Sequence, residues 1–93
     1  MIKGFRNKET EILFRSNGRS RFPPDIVPRA RRKLLVLDAA FKLADVTVPP
    51  SNRLELLSGN RQGQHSIRIN DQWRICFVWD NGHAHEVEIC DYH

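Results

Sequence analysis

Two arginines, a serine and a tyrosine in the C-terminal half of the chain have the spacing to form a phosphate-binding face. Ser66 and Arg68 lie two residues apart in one predicted strand, and Arg74 lies in the next. Tyr92 falls on the same face if the last strand continues past Cys90. Arginine guanidinium groups match phosphate oxygens in a two-pronged geometry, so this face could hold a phosphate. The alternative, which periodicity alone favours, is the ordinary wet side of an antiparallel sheet.

The histidines are the next candidates for chemistry. His93 directly follows Asp91 and Tyr92, and its imidazole titrates near neutral pH, which suits a general acid or base. His83 and His85 lie beside a predicted turn, but no third ligand is spaced to complete a metal site with them. We therefore expect neither a metal nor another cofactor.

The two cysteines, Cys76 and Cys90, are predicted to be neighbours on adjacent strands. Two cysteines are too few for a disulfide framework or a four-thiolate zinc site. A cytosolic compartment argues against a bond between them. No neighbouring His or Asn pattern supports a nucleophilic thiol, so the sequence predicts two reduced cysteines.

The net charge of +4 is distributed unevenly. Residues 1–33 carry ten Lys and Arg against three acidic residues, whereas residues 34–93 carry five basic and eight acidic residues. A basic half next to a mildly acidic half suggests a surface that faces a polyanion. The densest basic run, residues 29–33, lies on the exposed side of a predicted amphipathic helix. The alternative is that this run is only a solvated helix face.

The N-terminal elements can be predicted from capping residues and apolar spacing. Residues 2–5 form a short strand, and a helix runs from the cap Asn7 to about Arg15. A second helix begins at the cap Asp25 and ends near Leu43. Its buried stripe consists of Val27, Ala30, Leu34, Leu37 and Phe41. Loops are predicted at residues 16–24 and 46–52.

The rest of the chain has the alternation of strands. Four strands are predicted, at residues 53–57, 64–70, 73–80 and 83–90. Asn81-Gly82 is the strongest hairpin signal among their turns. Helices packed on one face of an antiparallel sheet make an α+β fold. In this arrangement His65, Trp73 and Trp79 belong to the apolar face.

Length and composition limit the remaining possibilities. The chain has 93 residues, of which 40% are apolar and 28% charged, so we expect one folded domain over residues 1–93. No apolar stretch approaches the roughly 20 residues of a membrane span. The basic N-terminal residues are not followed by the apolar segment of a secretory signal. We expect a cytoplasmic protein with no membrane partner.

Several segments of the C-terminal half resemble one family in combination. They are Arg53-Leu54-Glu55, the stretch 57–64 (LSGNRQGQ), the stretch 66–77 (SIRINDQWRICF), Val87-Glu88-Ile89 and Asp91-Tyr92-His93. Together they resemble the RelE/ParE toxin superfamily, and more narrowly its HigB-like branch of host-inhibition or plasmid-maintenance killer toxins. The resemblance covers nearly the whole chain, although the first fifty residues are much less specific.

The resemblance implies a toxin of a type II toxin–antitoxin pair. It implies two N-terminal helices packed on one face of a small antiparallel sheet, a RelE/ParE-like microbial RNase fold. Members of this branch are ribosome-dependent, metal-independent endoribonucleases that cut mRNA in the decoding site. The implied partners are the ribosome, mRNA and a helix-turn-helix, HigA-like antitoxin that also represses the operon.

The resemblance also implies catalytic residues. By position, Arg74 would stabilise the pentavalent phosphate, and Tyr92 and His93 would orient or exchange protons. Branch members often have a His or other basic group where this chain has Glu55, and a Lys where it has Ser58. Glu55 can still serve as a general base if its surroundings tune it.

Other basic residues are candidates for binding RNA. Arg61 or Arg68 would take over the charge that Ser58 lacks, and Arg53 is a further phosphate-binding candidate. Ribosomal RNA phosphates would be held, with strong salt dependence, by Arg29, Arg31, Arg32 and Lys33, and by Arg19 and Arg21. The loop 16–24 is a candidate contact for the antitoxin or the ribosome.

Two rival functions stay open on the sequence. The first is a gyrase poison of the ParE type, which the missing basic group at Ser58 slightly favours and Arg74 with Asp91-Tyr92-His93 disfavours. The second is a catalytically weak toxin that acts mainly by binding its antitoxin and adjusting operon repression.

Overall fold

A computed structural model describes residues 1–16 and 20–91, so the central part of the predicted loop 16–24 lies outside the described residues.

The first helix and its cap are as the sequence predicts. Helix α1 spans Lys8–Arg15. The Asn7 Oδ1 atom accepts a hydrogen bond from the Thr10 N–H at 3.0 Å, which satisfies one of the free donors of the first turn. Thr10 is buried and links α1 to the sheet, because its hydroxyl accepts from the Ile89 N–H.

The second helix differs from its prediction at both ends. Helix α2 spans Val27–Ala39, with Pro28 in its first turn and Ile26 at the cap position without a side-chain hydrogen bond. The predicted cap at Asp25 is therefore wrong. Ala30, Leu34 and Leu37 are fully buried, as expected.

The predicted end of this helix at Leu43 is also wrong. The Asp45 carboxylate accepts hydrogen bonds from the backbone N–H groups of Phe41 and Lys42 at 2.9 and 3.1 Å. These bonds offer the backbone an alternative to continuing the α-helix, and a short 3-10 helix, Leu43–Thr47, follows. Phe41, predicted as the last residue of the buried stripe, is consequently 90% exposed.

The sheet is a four-stranded antiparallel meander in the order β1-β2-β3-β4. Its strands are Glu55–Leu56, His65–Arg68, Trp73–Asp80 and His83–Asp91. The two long strands agree with their predictions, whereas β1 and β2 are shorter than predicted. The positive φ angles of Asn81 and Gly82, 56° and 80°, fit the predicted tight hairpin turn.

The N-terminal segment lies beside β4 but is not a regular strand. Instead of the strand predicted at residues 2–5, two isolated parallel bridges join Ile2 to Ala84 and Phe5 to Val87. Strand β4 has a bulge between the two residues that form these bridges. Glu86 has a φ of 49° at the register shift opposite Phe77, so Ala84 and Val87 both face the core despite their odd spacing.

The core lies between the two helices and one face of the sheet. Residues of both helices and of β2, β3 and β4 contribute fully or almost fully buried side chains: Leu13, Leu34, Leu37, Ile67, Ile75, Phe77, Val87 and Ile89. This is the α+β architecture that the sequence predicts. The packing leaves the opposite face of the sheet, with Ser66, Arg74 and Glu88, for other contacts.

Candidate active site

Arg74 lies at the centre of the face of the sheet that points away from the helices and the core. Its Nε donates to the Ser66 hydroxyl at 2.8 Å, and its Nη2 donates to the Arg53 carbonyl at 2.8 Å. The residue is only 5% exposed, and Ser66 and Cys76 beside it are fully or almost fully buried. The interpretation of this face as an ordinary wet sheet surface is therefore wrong around Arg74. A buried cation needs partners with fixed geometry, and Arg74 has them.

Glu55 is the carboxylate that accompanies Arg74. Its Oε1 lies 3.6 Å from the Arg74 Nη2 atom, and its side chain is 48% exposed. Glu55 belongs to the short edge strand β1, where it pairs with Ser66. The sequence-predicted pair Glu55 and Arg74 is thus brought together, with the cation buried and the carboxylate open to solvent.

A shallow cleft opens beside this pair. Its volume is about 210 Å³, and it is lined by Glu55, Leu56, Leu57, Ser58 and Arg61. The cleft therefore contains Glu55 and Ser58, the two positions at which this chain differs from the pattern of the family that it resembles. It also contains one cation, Arg61. Its size and polar lining suit a phosphate group or part of a nucleotide better than an apolar ligand.

Arg61 is held at this cleft by Glu88. The Arg61 Nη1 atom donates to Glu88 Oε1 at 2.7 Å and to Gln64 Oε1 at 3.2 Å. The hydrogen bond with Glu88 raises the pKa of Arg61 above its usual value. The Asn7 amide also donates to Glu88, at 3.3 Å, so Glu88 connects the α1 cap to the cleft.

Sequence reasoning missed Glu88 as part of the site. The alternation of β4 does predict that Glu88 points away from the core, which was the available signal. Its side chain is only 14% exposed, and a carboxylate at this depth needs partners. The Arg53 carbonyl was missed as well, and no side-chain pattern could reveal it.

The other predicted phosphate-binding residues take different positions. Arg68 lies opposite Arg74 in the register of strands β2 and β3. Its guanidinium forms an ion pair with Asp71. Arg53 is exposed and has a left-handed φ of 46°. In this uncommon backbone conformation, its carbonyl accepts the hydrogen bond from Arg74.

The basic run of α2 divides into residues with different contacts. Arg31 donates to the Leu13 carbonyl at 3.0 and 3.2 Å and to the Ser16 carbonyl at 2.9 Å. It therefore satisfies carbonyls at the end of α1 and ties the two helices together. Arg32 is exposed, and Arg29 donates to the Ile69 carbonyl at 3.3 Å.

Lys33 connects the basic run to the 3-10 helix Pro50–Asn52, which precedes β1. Its ammonium group donates to the Asn52 side chain. Partial burial lowers the pKa of Lys33, and the nearby charges of Arg29, Arg32 and Arg68 lower it further. The basic face of α2 thus continues to the end of β2 that carries Arg68.

The last two candidates, Tyr92 and His93, lie outside the described residues. Their predicted roles stay predictions. Strand β4 extends to Asp91, which pairs with Trp73 and accepts from the Gln72 amide at 3.1 Å.

The remaining sequence predictions, on His65 and on metal ligands, concern residues away from this cleft. His65 is stacked on Phe77 with a centroid distance of 6.1 Å, which agrees with its place on the apolar face. Across residues 1–16 and 20–91, no group of three or more His, Cys, Asp or Glu could hold a metal ion. The helices of these same ranges are all too short or too polar to cross a membrane.

Comparison with known proteins identifies the family of this chain. The model of the RelE-like toxin of the type II toxin–antitoxin system HigB matches residues 3–93. Toxin HigB-1 of Vibrio cholerae is 42% identical over 85 residues, which are 90% of each chain. Endoribonuclease HigB of Proteus vulgaris is 33% identical over 93 residues, which are the whole of both chains.

A structural comparison agrees at the level of the fold. The heterotetrameric YoeB–YefM toxin–antitoxin complex of Staphylococcus aureus contains a chain that superimposes with a TM-score of 0.60 at 21% identity, covering 100% of this chain and 98% of that one. The family match, the two curated relatives and the shared fold lead to one conclusion. This chain belongs to the HigB-like family of RelE-like toxins of type II toxin–antitoxin systems.

Proposed function

We propose that this toxin is an endoribonuclease that cleaves mRNA in the decoding site of the ribosome. The observation that carries the proposal is the buried Arg74 guanidinium, held by Ser66 and the Arg53 carbonyl, with the Glu55 carboxylate 3.6 Å away at an open cleft. A relative that aligns over the full length is named an endoribonuclease, which supports the same chemistry.

The proposed reaction uses the RNA's own 2′-hydroxyl as nucleophile. Its oxygen attacks the adjacent phosphorus, the bond to the 5′-oxygen breaks, and a 2′,3′-cyclic phosphate and a 5′-hydroxyl are left. Glu55 removes the proton from the 2′-hydroxyl as general base. Arg74 supplies a preorganised positive charge where negative charge develops on the phosphate. Tyr92 and His93 are the candidates for returning a proton to the leaving oxygen.

Arg61 supplies the charge that the cleft lacks at Ser58. Both residues line the same cleft, and the hydrogen bond to Glu88 fixes the guanidinium there. Because Glu88 partly neutralises Arg61, we infer that its contribution is weaker than that of an unpaired lysine would be. Arg53 and Arg68 flank Arg74 and help to hold the RNA backbone.

The substitution Ser58→Lys tests this reading of the cleft. We expect several-fold faster cleavage, because a second cation beside Glu55 and Arg61 stabilises the developing phosphate charge. The measurement is the cleavage rate on programmed ribosomes at saturating toxin. Ser58→Gln, which adds length without charge, is the control, and a rate for Ser58→Lys no higher than that of the control contradicts the proposal.

The basic face of α2 is proposed to hold ribosomal RNA. The exposed Arg32 and its neighbours Arg29 and Lys33 form this face. Arg31 joins it in sequence, but its three hydrogen bonds to backbone carbonyls give it a structural role. A cytoplasmic location follows from the ribosomal target.

Arg31→Ala and Arg32→Ala are expected to separate these two roles. Arg32→Ala should weaken ribosome binding and reduce the salt slope of log K by about 1, with no change in stability. Arg31→Ala should lower the free energy of unfolding by about 1–3 kcal/mol, because the Leu13 and Ser16 carbonyls lose a charged donor. Ribosome binding at several salt concentrations and urea unfolding measure the two effects. Equal effects of both substitutions on stability would contradict the division.

The toxin is proposed to act as a single domain and to be neutralised by a helix-turn-helix, HigA-like antitoxin that represses the operon. One observation favours a weaker enzyme as the second candidate: Glu55 places a negative charge next to Arg74. Such a toxin would act mainly through its antitoxin and the operon.

Primer extension on programmed ribosomes with defined mRNA tests the main proposal. Cleavage in the decoding site that depends on the ribosome and leaves a 5′-hydroxyl is expected. Failure to cleave, from folded protein that still binds its antitoxin, would overturn it, and a plasmid supercoiling assay then tests the gyrase alternative.

A further inference from the structure

The two cysteines are in contact on the same face of the sheet as Arg74. The Cys76 and Cys90 sulfur atoms are 3.0 Å apart, and both residues are free thiols. Cys76 pairs with Glu88 and Cys90 pairs with Arg74, so the cysteines are diagonal neighbours on the antiparallel strands β3 and β4. Their predicted proximity is confirmed. A disulfide has a sulfur–sulfur bond of about 2.05 Å, so an approach of roughly 1 Å would join them.

The surroundings of this pair favour a thiolate at Cys76 and a protonated thiol at Cys90. The pKa of the Cys76 thiol is lowered, chiefly by the hydrogen bond from Cys90. The Arg61 and Arg74 guanidinium groups act in the same direction, whereas burial and Glu88 oppose them. Donating this hydrogen bond, together with burial, raises the pKa of Cys90. Thiolates, not thiols, are the species that react with oxidants. Cys76 itself is almost fully buried, so a small oxidant reaches its sulfur past the half-buried Cys90.

We propose that Cys76 and Cys90 are a dithiol site that hydrogen peroxide oxidises to a disulfide joining β3 to β4 beside Arg74. A thiolate of the pair attacks one peroxide oxygen, the O–O bond breaks, and a sulfenic acid and hydroxide form. The second sulfur then attacks the sulfenic sulfur, the S–O bond breaks, and the disulfide forms. The two thiol protons leave with the two hydroxides as water, and the two sulfurs together give two electrons to one peroxide.

The cross-link is expected to make the protein more stable. It closes a short loop through the β3–β4 hairpin and so restricts the unfolded chain. For a chain of this size, the thermal midpoint of the oxidised protein should rise by about 5–15 °C. Reduction with dithiothreitol should reverse the rise. None of this depends on the proposed RNA cleavage.

Intact-mass measurement of the full chain tests the site. After exposure to excess peroxide and desalting, the wild-type protein should be lighter by two hydrogen atoms. Peptide mapping without reduction should link Cys76 to Cys90. The matched variants Cys90→Ser and Cys76→Ala should show neither the loss of hydrogen nor the thermal shift. Retention of both thiols, addition of oxygen atoms alone, or disulfides between two molecules in the wild type would overturn the proposal.

A consequence for activity rests on the proposed function. The bond displaces Cys90, the register partner of Arg74, so cleavage by the oxidised protein should be several-fold slower and recover with dithiothreitol. The Cys90→Ser variant should cleave at the same rate before and after peroxide. An unchanged rate with a complete disulfide would overturn this regulatory effect. If the reduced protein does not cleave at all, the proposed function fails, while the mass measurement still decides the dithiol site.

Discussion

Arg74→Ala is expected to reduce ribosome-dependent mRNA cleavage by about 100-fold or more. Removing a single preorganised donor for a developing oxyanion typically costs a factor of this size. Arg74 combines such a position with almost complete burial and two hydrogen bonds of 2.8 Å. The measurement is the single-turnover cleavage rate on programmed ribosomes, with the amount of ribosome-bound toxin determined separately.

Two further variants distinguish a loss of chemistry from a loss of folding. Arg74→Lys keeps the positive charge but cannot reach both Ser66 and the Arg53 carbonyl in the same fork geometry, so its rate should lie between those of Ala and wild type. Ser66→Ala removes only one support of the guanidinium and should have a milder effect. Urea unfolding reports the stability of each variant. Wild-type cleavage by a folded Arg74→Ala protein would contradict the role of this residue.

The same site shows what alternation along strands can predict. Period-two spacing places Arg74 on the face away from the core, together with Ser66, and this placement is correct. The spacing carries no information on what covers that face. Spacing alone therefore favours a solvent-exposed sheet surface, and the burial of Arg74 contradicts this prediction. The cover includes the backbone of Arg53, which is left-handed because it caps the end of the 3-10 helix Pro50–Asn52, a conformation that its residue type does not predict.

The helices show the corresponding limit for local signals. Asn7 caps α1 as predicted because an Asx side chain bonds the backbone three residues on, a wholly local interaction. The end of α2 depends instead on Asp45, which binds the backbone at Phe41 and Lys42 from outside the predicted helix. Arg31 is similar, since only the packing of α1 against α2 shows that it serves carbonyls at the end of α1.

Glu55→Gln is expected to slow cleavage by about 100-fold or more. A positioned general base typically contributes 10²–10⁴-fold, and glutamine keeps the size of the side chain but cannot accept the proton. The Glu55 side chain is about half exposed at the edge of the cleft, so within residues 1–16 and 20–91 the substitution removes no buried interaction except the 3.6 Å contact with Arg74. The fold should therefore be unaffected.

The control for Glu55 is a carboxylate with the same chemistry at another site. Glu86→Gln makes the same change of charge at an exposed position in the β4 bulge, and it should leave the cleavage rate at the wild-type value.

The direction of the Glu55→Gln effect decides between two roles of this carboxylate. As a general base, Glu55 is required, and the rate falls. As a mere counter-ion, Glu55 weakens the positive potential of Arg74, so its removal raises the rate, and replacement by a basic residue raises it further. The geometry favours the first role, because the half-exposed Glu55 carboxylate lines the open cleft, where it can reach a substrate, and lies 3.6 Å from the Arg74 guanidinium. A rate increase in Glu55→Gln would overturn this assignment and make proton removal the task of another group.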